Sequence, residues 1–280
     1  MNRLILIEGI PGSGKTTMAE KVKLHLENKG MRVEMFQEGE LHPADLAWLS
    51  VLSLEQFEEI RTLPIFEGRW KNHVSIEGDR AIIAYTRLRL PEEGQKWMEY
   101  FDRHEVYDQR VPFEEFKALH FTRWNRFSLE AESDTVYIFE CAYLQNHISE
   151  MVRANEMTDQ AIVAYMQDLI ETVKPLNPKL IYLSQPDVRE TIQRVADERR
   201  SPEPDRWKDW IDLVAEYVEN SPYGKSIQAS GFEAVISFIE ARKVLEFKVM
   251  KELDIEVDVI DNPSYDWEDV ERRVMACLDV

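Results

Sequence analysis

The sequence predicts an α/β protein with a five-stranded parallel sheet that is flanked by helices. Short apolar runs recur along the 280-residue chain and alternate with helical stretches, which is the order of elements in parallel-sheet proteins. The first apolar run ends in a glycine-rich turn that leads directly into a helix. With 44% hydrophobic and 31% charged residues, the composition is that of an ordinary folded protein.

Five short apolar segments are the predicted strands, because buried parallel strands are apolar on both faces. They are residues 4–8, 33–36, 136–139, 180–183 and 257–260. Glu34 favours an edge position for the second strand. Residues 15–28 are predicted to be helical, since apolar residues recur every four positions and a glycine closes the segment. Residues 158–173 and 232–253 are further predicted helices.

A glycine-rich motif follows the first strand. Residues 9–16 read GIPGSGKT and match G-x-x-x-x-G-K-[ST], the P-loop pattern. Its glycines let backbone N–H groups surround a phosphate, and the next helix points its N-terminal dipole at the same anion. Lys15 is the predicted catalytic cation, and the Thr16 hydroxyl is a predicted Mg²⁺ ligand. The predicted nucleotide ligands are Gly9, Pro11, Gly12, Ser13, Gly14, Lys15, Thr16 and Thr17.

A second metal ligand is predicted at the end of the third strand. The apolar residues 136–139 are followed by Glu140, as the acid follows the strand in a Walker B motif. If this strand lies beside the first, Glu140 reaches the metal held by Thr16, directly or through water. The alternative interpretation is a carboxylate at an ordinary strand end.

The P-loop, the acid-ending strand and the later arginines resemble those of the thymidylate kinase and deoxynucleoside kinase group of P-loop kinases. The chain is also similar to uncharacterised bacterial thymidylate-kinase-like ATPases in the segments FECAYLQN (139–146) and FEEFKALH (113–120). The resemblance implies the kinase-type strand order 2-3-1-4-5 and a single kinase-like domain over residues 1–280. It also implies ATP and Mg²⁺ as cofactors, and a homodimer, since members of the group often pair.

The stretch between the second and third strands is too long to be a loop. Residues 38–134 are therefore predicted to form an inserted acceptor-binding subdomain over the carboxyl edge of the sheet, where α/β folds bind ligands. Residues 74–76 and 81–85 flank the turn EGDR and predict a β-hairpin. Residues 54–62 and 113–127 are predicted helices beside it.

Candidate acceptor-side residues lie in this insertion. The resemblance implies that Glu38, after the second strand, is the catalytic base for the acceptor, with Glu40 and Asp45 as rivals in the same loop. A solvated acidic loop is the alternative. The related kinases carry an arginine directly after the acid of the third strand, whereas this chain has cysteine and alanine after Glu140. Arg123 and Arg126 are candidate replacements, and a helix-surface ion pair is the alternative.

The segment after the fourth strand resembles the lid of the same kinases. A Gln-Pro-Asp start at residues 185–187 precedes arginines 189, 194, 199 and 200, so residues 186–225 are predicted to be a lid region. Arg194 and Arg199 are the leading candidates to stabilise the transferring phosphoryl group, and a solvated basic helix that balances nearby acids is the alternative. Residues 201–205 are predicted to be a mobile loop. In the resembling kinases the loop after the last core strand contacts the adenine, so the resemblance implies such a contact at Asn262, with a plain turn as the alternative.

The charge excludes some classes of partner. The chain has 34 basic and 53 acidic residues, a formal net charge of −19, which repels nucleic acid and anionic membrane surfaces. No apolar run approaches the roughly 20 residues that a membrane-spanning helix needs. The two cysteines form neither a disulfide framework nor a metal-ligand pattern, which is typical of a reducing cytoplasm. We therefore expect a cytoplasmic protein with a small-molecule acceptor.

The predicted function is that of an ATP-dependent, Mg²⁺-dependent phosphotransferase acting on a small-molecule hydroxyl or phosphate acceptor. A nucleoside, a nucleotide and an unrelated metabolite remain open as acceptors. The alternative is a nucleotide-dependent switch or ATPase that binds a protein partner without phosphoryl transfer to a metabolite.

Overall fold

The computed structural model describes residues 1–203 and 207–278. In those residues the strands are β1 (Leu4–Gly9), β2 (Arg32–Phe36), β3 (Ser50–Ser53), β4 (Val74–Glu77), β5 (Arg80–Ile83), β6 (Thr135–Glu140), β7 (Pro178–Ser184) and β8 (Glu256–Asp261). The α-helices are α1 (Lys15–Asn28), α2 (Leu54–Ile60), α3 (Gln95–Asp102), α4 (Phe113–Glu130), α5 (Leu144–Ser149), α6 (Asp159–Glu171), α7 (Val188–Glu198), α8 (Trp210–Glu219), α9 (Pro222–Ile227), α10 (Gly231–Glu252) and α11 (Trp267–Leu278). Short 3₁₀ turns cover Pro64–Phe66, Tyr85–Leu88, Glu92–Gly94 and Lys174–Leu176, and Glu150–Ala154 is π-helical.

The first of two compact units comprises residues 1–35 and the described part of 131–280. Its sheet has the strand order β2-β6-β1-β7-β8, which is 2-3-1-4-5 when only these five strands are numbered. The parallel five-stranded sheet with flanking helices is the P-loop kinase arrangement, so the predicted fold class is confirmed. β2 lies at an edge, which accommodates the charged side chain of Glu34.

β1 is the central strand, and all six of its residues are buried. Ile5 and Ile7 pack in one core with Met18 and Val22 of α1 and with apolar residues of α11. Because side chains alternate along a strand, Leu6 and Glu8 point to the opposite face. On that face α5 packs against β1, and α10 packs against α5 and α6.

The predicted strands are one to three residues too short, whereas the predicted bounds of α1 are confirmed. Four of the five sheet strands end in residues such as Gly9, Glu140 and Ser184, which an apolar pattern does not include. α1 is amphipathic in the expected way, since Met18, Val22 and Leu26 are buried one turn apart. None of the helices in the described residues is long and apolar enough to span a bilayer.

The second compact unit comprises Phe36–Glu130. It contains a three-stranded antiparallel sheet in the order β3-β5-β4. The predicted hairpin is confirmed, with Ile76 opposite Ala81 and Gly78 in the turn at φ +60°. Its second strand is shorter than predicted, because a 3₁₀ turn begins at Tyr85.

Two elements of this unit were not predicted. β3 is only four residues long and has serine at both ends, and α3 is a short amphipathic helix that directly follows a 3₁₀ turn. Both contribute to an aromatic-rich core that includes Phe57, Phe66 and Phe101. The predicted insertion, 38–134, has nearly the bounds of this unit, and its acceptor-binding role stays a prediction.

The helix α7, which carries Arg194 and ends just before Arg199, is fixed at its start by a side-chain cap. The Asp187 carboxylate accepts a hydrogen bond from the Glu190 N–H at 2.8 Å. We expect Asp187→Ala to lower the free energy of unfolding by about 1 kcal/mol, because it leaves a helix N–H without its acceptor. Urea denaturation followed by circular dichroism measures the change.

The matched control is Asp187→Asn, whose amide oxygen caps helices about as well as a carboxylate. It should unfold at nearly the wild-type urea concentration. Equal stability of Asp187→Ala and the wild type would show that the cap contributes nothing.

Candidate functional site

The loop between β1 and α1 requires glycine at specific positions. Gly12 and Gly14 have φ values of +82° and +84°, a region that other residues rarely adopt. A Cβ atom on Gly12 would overlap a methyl group of Val195 in α7, and one on Gly14 would lie 2.6 Å from the Trp267 ring. Both the backbone conformation and the packing therefore exclude a side chain at these two positions.

The loop also has the features of an anion site. No side chain in the described part of the chain caps α1, which begins directly after Gly14, so its first N–H groups remain for a ligand. The Ser13 hydroxyl is buried, and among the described residues it has no hydrogen-bond partner. The Lys15 side chain is only 6% exposed, and its ammonium donates to the Ile10 carbonyl at 3.0 Å. A phosphate suits these donors in number and in charge.

The two predicted metal ligands lie side by side. Ile7 of β1 pairs with Glu140 of β6 in the sheet register, which brings the end of β6 next to the loop. The Thr16 hydroxyl donates to the Glu140 carboxylate at 3.0 Å. A hydroxyl and a carboxylate are oxygen ligands of the kind that Mg²⁺ prefers, so the residues present fit this ion. The role of the pair as metal ligands stays a prediction.

Of the four predicted lid arginines, Arg194 contacts the phosphate loop in the described structure. Its guanidinium donates to the Gly12 carbonyl at 3.4 Å and lies 3.4 Å from the centre of the Tyr265 ring. The Tyr265 hydroxyl in turn lies 3.1 Å from the Thr191 hydroxyl of α7. α7 and the segment before α11 therefore hold a positive charge beside the loop.

The other three arginines have different partners. Arg199 lies 5.2 Å from the Trp210 ring centre, Arg189 pairs with Glu233 at 2.6 Å, and Arg200 pairs with the nearby Asp197. Within the lid region 186–225, residues 204–206 lie outside the described part of the chain. They include two residues of the predicted mobile loop 201–205.

The carboxylates proposed for the acceptor side belong to the second unit. Glu38 accepts a hydrogen bond from the Trp48 indole at 3.2 Å, and Glu40 accepts one from the Gln37 N–H at 3.0 Å. Asp45 is buried, where it accepts a 2.5 Å hydrogen bond from the Tyr107 hydroxyl. The first two thus organise their own loop, and the roles of all three with an acceptor stay predictions.

The two candidate replacement arginines share one partner, Glu77. Arg123 is 4% exposed, forms an ion pair with Glu77, and donates to the Ala44 carbonyl. Arg126 is about one-third exposed and lies 2.7 Å from the same carboxylate. Burial holds the pKa of Arg123 below its ordinary value, although Glu77 opposes the shift. The sequence allowed for a helix ion pair here, but not for one that is buried.

Asn262 is also buried. Its backbone N–H donates to the Ser184 carbonyl at 3.0 Å, and its side-chain amide nitrogen makes no hydrogen bond within the described residues. It is fixed at the carboxyl end of β8, and its contact with adenine stays a prediction.

Sequence reasoning missed Glu8, the residue directly before the loop. Its carboxylate is fully buried and accepts three backbone hydrogen bonds, from Tyr143 at 2.7 Å, Leu144 at 3.0 Å and Gln145 at 3.1 Å. Burial raises the pKa of Glu8 to about 7, the three N–H donors oppose this shift, and the negative charge of Glu246 adds to it. A carboxylate that ends an otherwise apolar strand was the available signal.

A second buried acid lies on the same face. Glu246 of α10 accepts a hydrogen bond from the Tyr182 hydroxyl and pairs with Arg242 at 2.9 Å. Arg242 also donates to the Ser149 hydroxyl at the end of α5. The polar network below the loop thus joins β7, α10 and α5.

Glu8 should make stability depend on pH. Because its folded-state pKa of about 7 lies above the ordinary 4.5, its contribution is fully present below about pH 4.5. It is lost as the pH rises through about 7, where the buried carboxyl group ionises. The loss is roughly 3 kcal/mol at about 1.4 kcal/mol per pH unit.

The variant Glu8→Gln has no ionisable group at this position, so its free energy of unfolding should not show this loss as the pH rises. Urea denaturation of both proteins from pH 4 to pH 8 measures the difference in the free energy of unfolding. Glu105 also has a buried carboxyl group with a raised pKa, of about 8. Because both proteins contain Glu105, subtracting one pH profile from the other removes its contribution. Parallel profiles for the two proteins would contradict the prediction.

Known proteins are similar to parts of this architecture. Residues 2–61, which include the P-loop, match the model of a family described as chromatin associated protein KTI12. The match spans less than a quarter of the chain and so does not establish membership. No curated protein matches the chain.

Two solved structures are similar over nearly the full length at low identity. Thymidylate kinase from Candida albicans aligns with a TM-score of 0.43 and 13% identity, covering 99% of this chain and 91% of that one. The YorR protein from Bacillus subtilis, solved in complex with phosphorylated GDP, aligns with a TM-score of 0.41 and 12% identity, covering 99% and 95%. The fold assignment rests on the chain's own strand order and P-loop.

Proposed function

We propose that the protein is an ATP-dependent, Mg²⁺-dependent phosphotransferase that acts on a small-molecule acceptor. The observation that carries the proposal is the hydrogen bond between Thr16 and Glu140 beside a glycine loop that can enclose a phosphate. Together these groups supply the anion donors and the oxygen ligands that phosphoryl transfer from Mg·ATP requires.

The P-loop binds and orients the nucleotide in this proposal. Backbone N–H groups of residues 9–16 bind the β-phosphate. Lys15 gives up its bond to the Ile10 carbonyl and moves its ammonium to the β- and γ-phosphate oxygens. Thr16 and Glu140 would hold Mg²⁺, and a bound Mg²⁺ would supply positive charge to offset that of the phosphates. These interactions fix the terminal phosphorus for attack.

Transfer then needs a positive charge and a base. The acceptor oxygen forms a bond to the γ-phosphorus, the bond to the β-phosphate oxygen breaks, and ADP leaves. Arg194, already held against the loop, is positioned to stabilise the charge on the moving group, with Arg199 as the rival. Glu38 or Glu40 takes the proton of the acceptor hydroxyl. Nucleosides, nucleotides and unrelated metabolites remain the acceptor classes.

A nucleotide-dependent switch is the second candidate. It is favoured by the match of residues 2–61 to a family whose description names chromatin association rather than a metabolite. The net charge of −19 favours a protein over a nucleic acid as the partner. In this case ATP would be hydrolysed slowly, without stimulation by any small molecule.

A screen of metabolites for acceptor-dependent ADP formation tests the choice. We expect at least one acceptor to stimulate ADP release, and Lys15→Ala to reduce the stimulated rate by about 100-fold or more, because it removes a charge aimed at the transferring group. Lys23→Ala, in the same helix but paired with Glu27 on the surface, is the matched control. Steady hydrolysis that no metabolite stimulates would favour the switch.

Replacing the predicted metal acid tests the other half of the site. Glu140→Gln keeps the shape but removes the charge, so we expect about a 10-fold higher Mg²⁺ concentration for half-maximal ADP binding. Titration calorimetry with Mg²⁺ varied measures this value. Glu252→Gln, at the exposed end of α10, should not change it. An unchanged Mg²⁺ requirement in Glu140→Gln would remove Glu140 from the metal site.

A further inference from the structure

We propose that Glu8 is a positioning residue whose buried carboxylate fixes the turn after β6 and thereby holds Glu140 against Thr16. This inference rests on the proposed function, because it concerns how the nucleotide and its metal are bound. Glu8 would act through the turn, without touching the phosphate itself.

The contacts of Glu8 are those of a helix cap supplied by a different element. The three N–H donors that it binds come from the consecutive residues Tyr143, Leu144 and Gln145, at the start of α5. Tyr143 occupies the N-cap position and, within the described structure, supplies no side-chain cap of its own. The first amides of α5 therefore depend on a carboxylate in β1.

The turn that leads to these amides has a strained residue at its start. Cys141 has φ +65°, a left-handed conformation that costs an ordinary residue energy and persists only where the surroundings enforce it. Its N–H donates to the Ile7 carbonyl at 3.2 Å, and its thiol lies 3.2 Å from the Glu140 carboxylate. The backbone of Ile7 thus fixes the start of the turn, and the side chain of Glu8 fixes its end.

These two anchors bracket the predicted metal ligand. Glu140 is the last residue of β6, directly before Cys141, and its carboxylate accepts the Thr16 hydroxyl at 3.0 Å. If the end of the turn is released, Cys141 can relax toward an ordinary conformation and the Glu140 side chain loses its fixed position. Residues of this kind, which orient a metal ligand without binding the metal, commonly change metal affinity by about 10-fold to 100-fold.

The groups that surround Glu8 support this positioning role. The charged and titratable groups that act on its carboxylate are Glu246 of α10 and Tyr143 of the turn, while Tyr182 of β7 and Arg242 of α10 complete the network around Glu246. No cation among these groups pairs with Glu8 in the described structure. An apolar residue would avoid the cost of burying a carboxylate, but it could not accept three N–H donors.

The test is the gain in ADP affinity that Mg²⁺ provides. Titration calorimetry gives the Kd for ADP in Mg²⁺ and in EDTA, and the ratio of the two values is the gain. We expect Glu8→Gln to reduce the gain by about 10-fold, while the Kd in EDTA changes less than about twofold because the P-loop amides are untouched. Glu246→Gln is the matched control, because Glu246 is a buried acid on the same face but does not contact the turn. This variant should be less stable but should keep the gain in ADP affinity.

The outcomes separate the two proposals. If the wild type shows the gain and Glu8→Gln retains it, the positioning role is overturned and the nucleotide function stands. An equal loss in Glu246→Gln would also overturn it, because the effect would then be general destabilisation. If the wild type binds ADP no better with Mg²⁺ than in EDTA, the proposed function fails and the inference about Glu8 fails with it.

A measurement on the wild type covers the case in which Glu8→Gln does not fold. Amide hydrogen exchange of residues 141–147 should slow further with ADP and Mg²⁺ than with ADP in EDTA, since the metal and the cap restrain the same turn. The amides of α6 should respond equally to both conditions. Identical exchange of residues 141–147 in the two conditions would overturn the proposal.

Discussion

The pairing of β1 with β6 is the constraint on which the candidate site depends. Both strands lie inside a parallel sheet, so their carboxyl ends reach the same edge. At that edge β1 continues into a loop whose glycines leave backbone N–H groups available, and β6 ends in a carboxylate. The 3.0 Å hydrogen bond from Thr16 to Glu140 is a direct consequence of this register. A shift by one residue would turn the Glu140 side chain to the other face of the sheet.

Burial gives this edge its rigidity. β1 presents apolar residues to α1 on one face, whereas on the other face it ends in Glu8, which has no counter-ion within the described residues and is held by backbone dipoles. Burying a carboxylate costs several kcal/mol, and hydrogen bonds to the charged form offset part of that cost. The buried carboxylate of Glu8 therefore contributes more to fixing the backbone of the turn after β6 than to the overall stability of the fold. The same strand thereby supplies the glycine loop and anchors the turn opposite it.

The sequence alone was sufficient to predict features that depend on neighbouring residues, but it was insufficient to predict contacts between segments that are distant along the chain. The P-loop, α1 and the acid that ends β6 follow from spacing along a continuous stretch, and the strand order followed from the resemblance that these motifs carry. Arg194 of α7 contacts Tyr265, which lies before α11 and 71 positions further along the chain. No pattern in the sequence predicts this contact. The role of Glu8 was hidden for the same reason, because its three partners lie more than 130 positions away. β3 was missed because it has serine at both ends and pairs with β5, which lies 27 or more positions further along the chain, rather than with a neighbour across a tight turn.

If the proposed phosphoryl transfer is correct, the charges of the chain favour an acceptor without a phosphate group. Arg123 is committed to Glu77 in a buried pair, and removing one partner from such a pair typically costs about 3–5 kcal/mol. An acceptor phosphate that recruited Arg123 would leave the Glu77 carboxylate, only 13% exposed, with the partly exposed Arg126 as its remaining partner. The chain also lacks an arginine after Glu140 and carries a net charge of −19, which repels anions. Under the proposed function, a neutral or cationic hydroxyl compound meets none of these penalties, so we propose it as the acceptor class that the charge distribution favours.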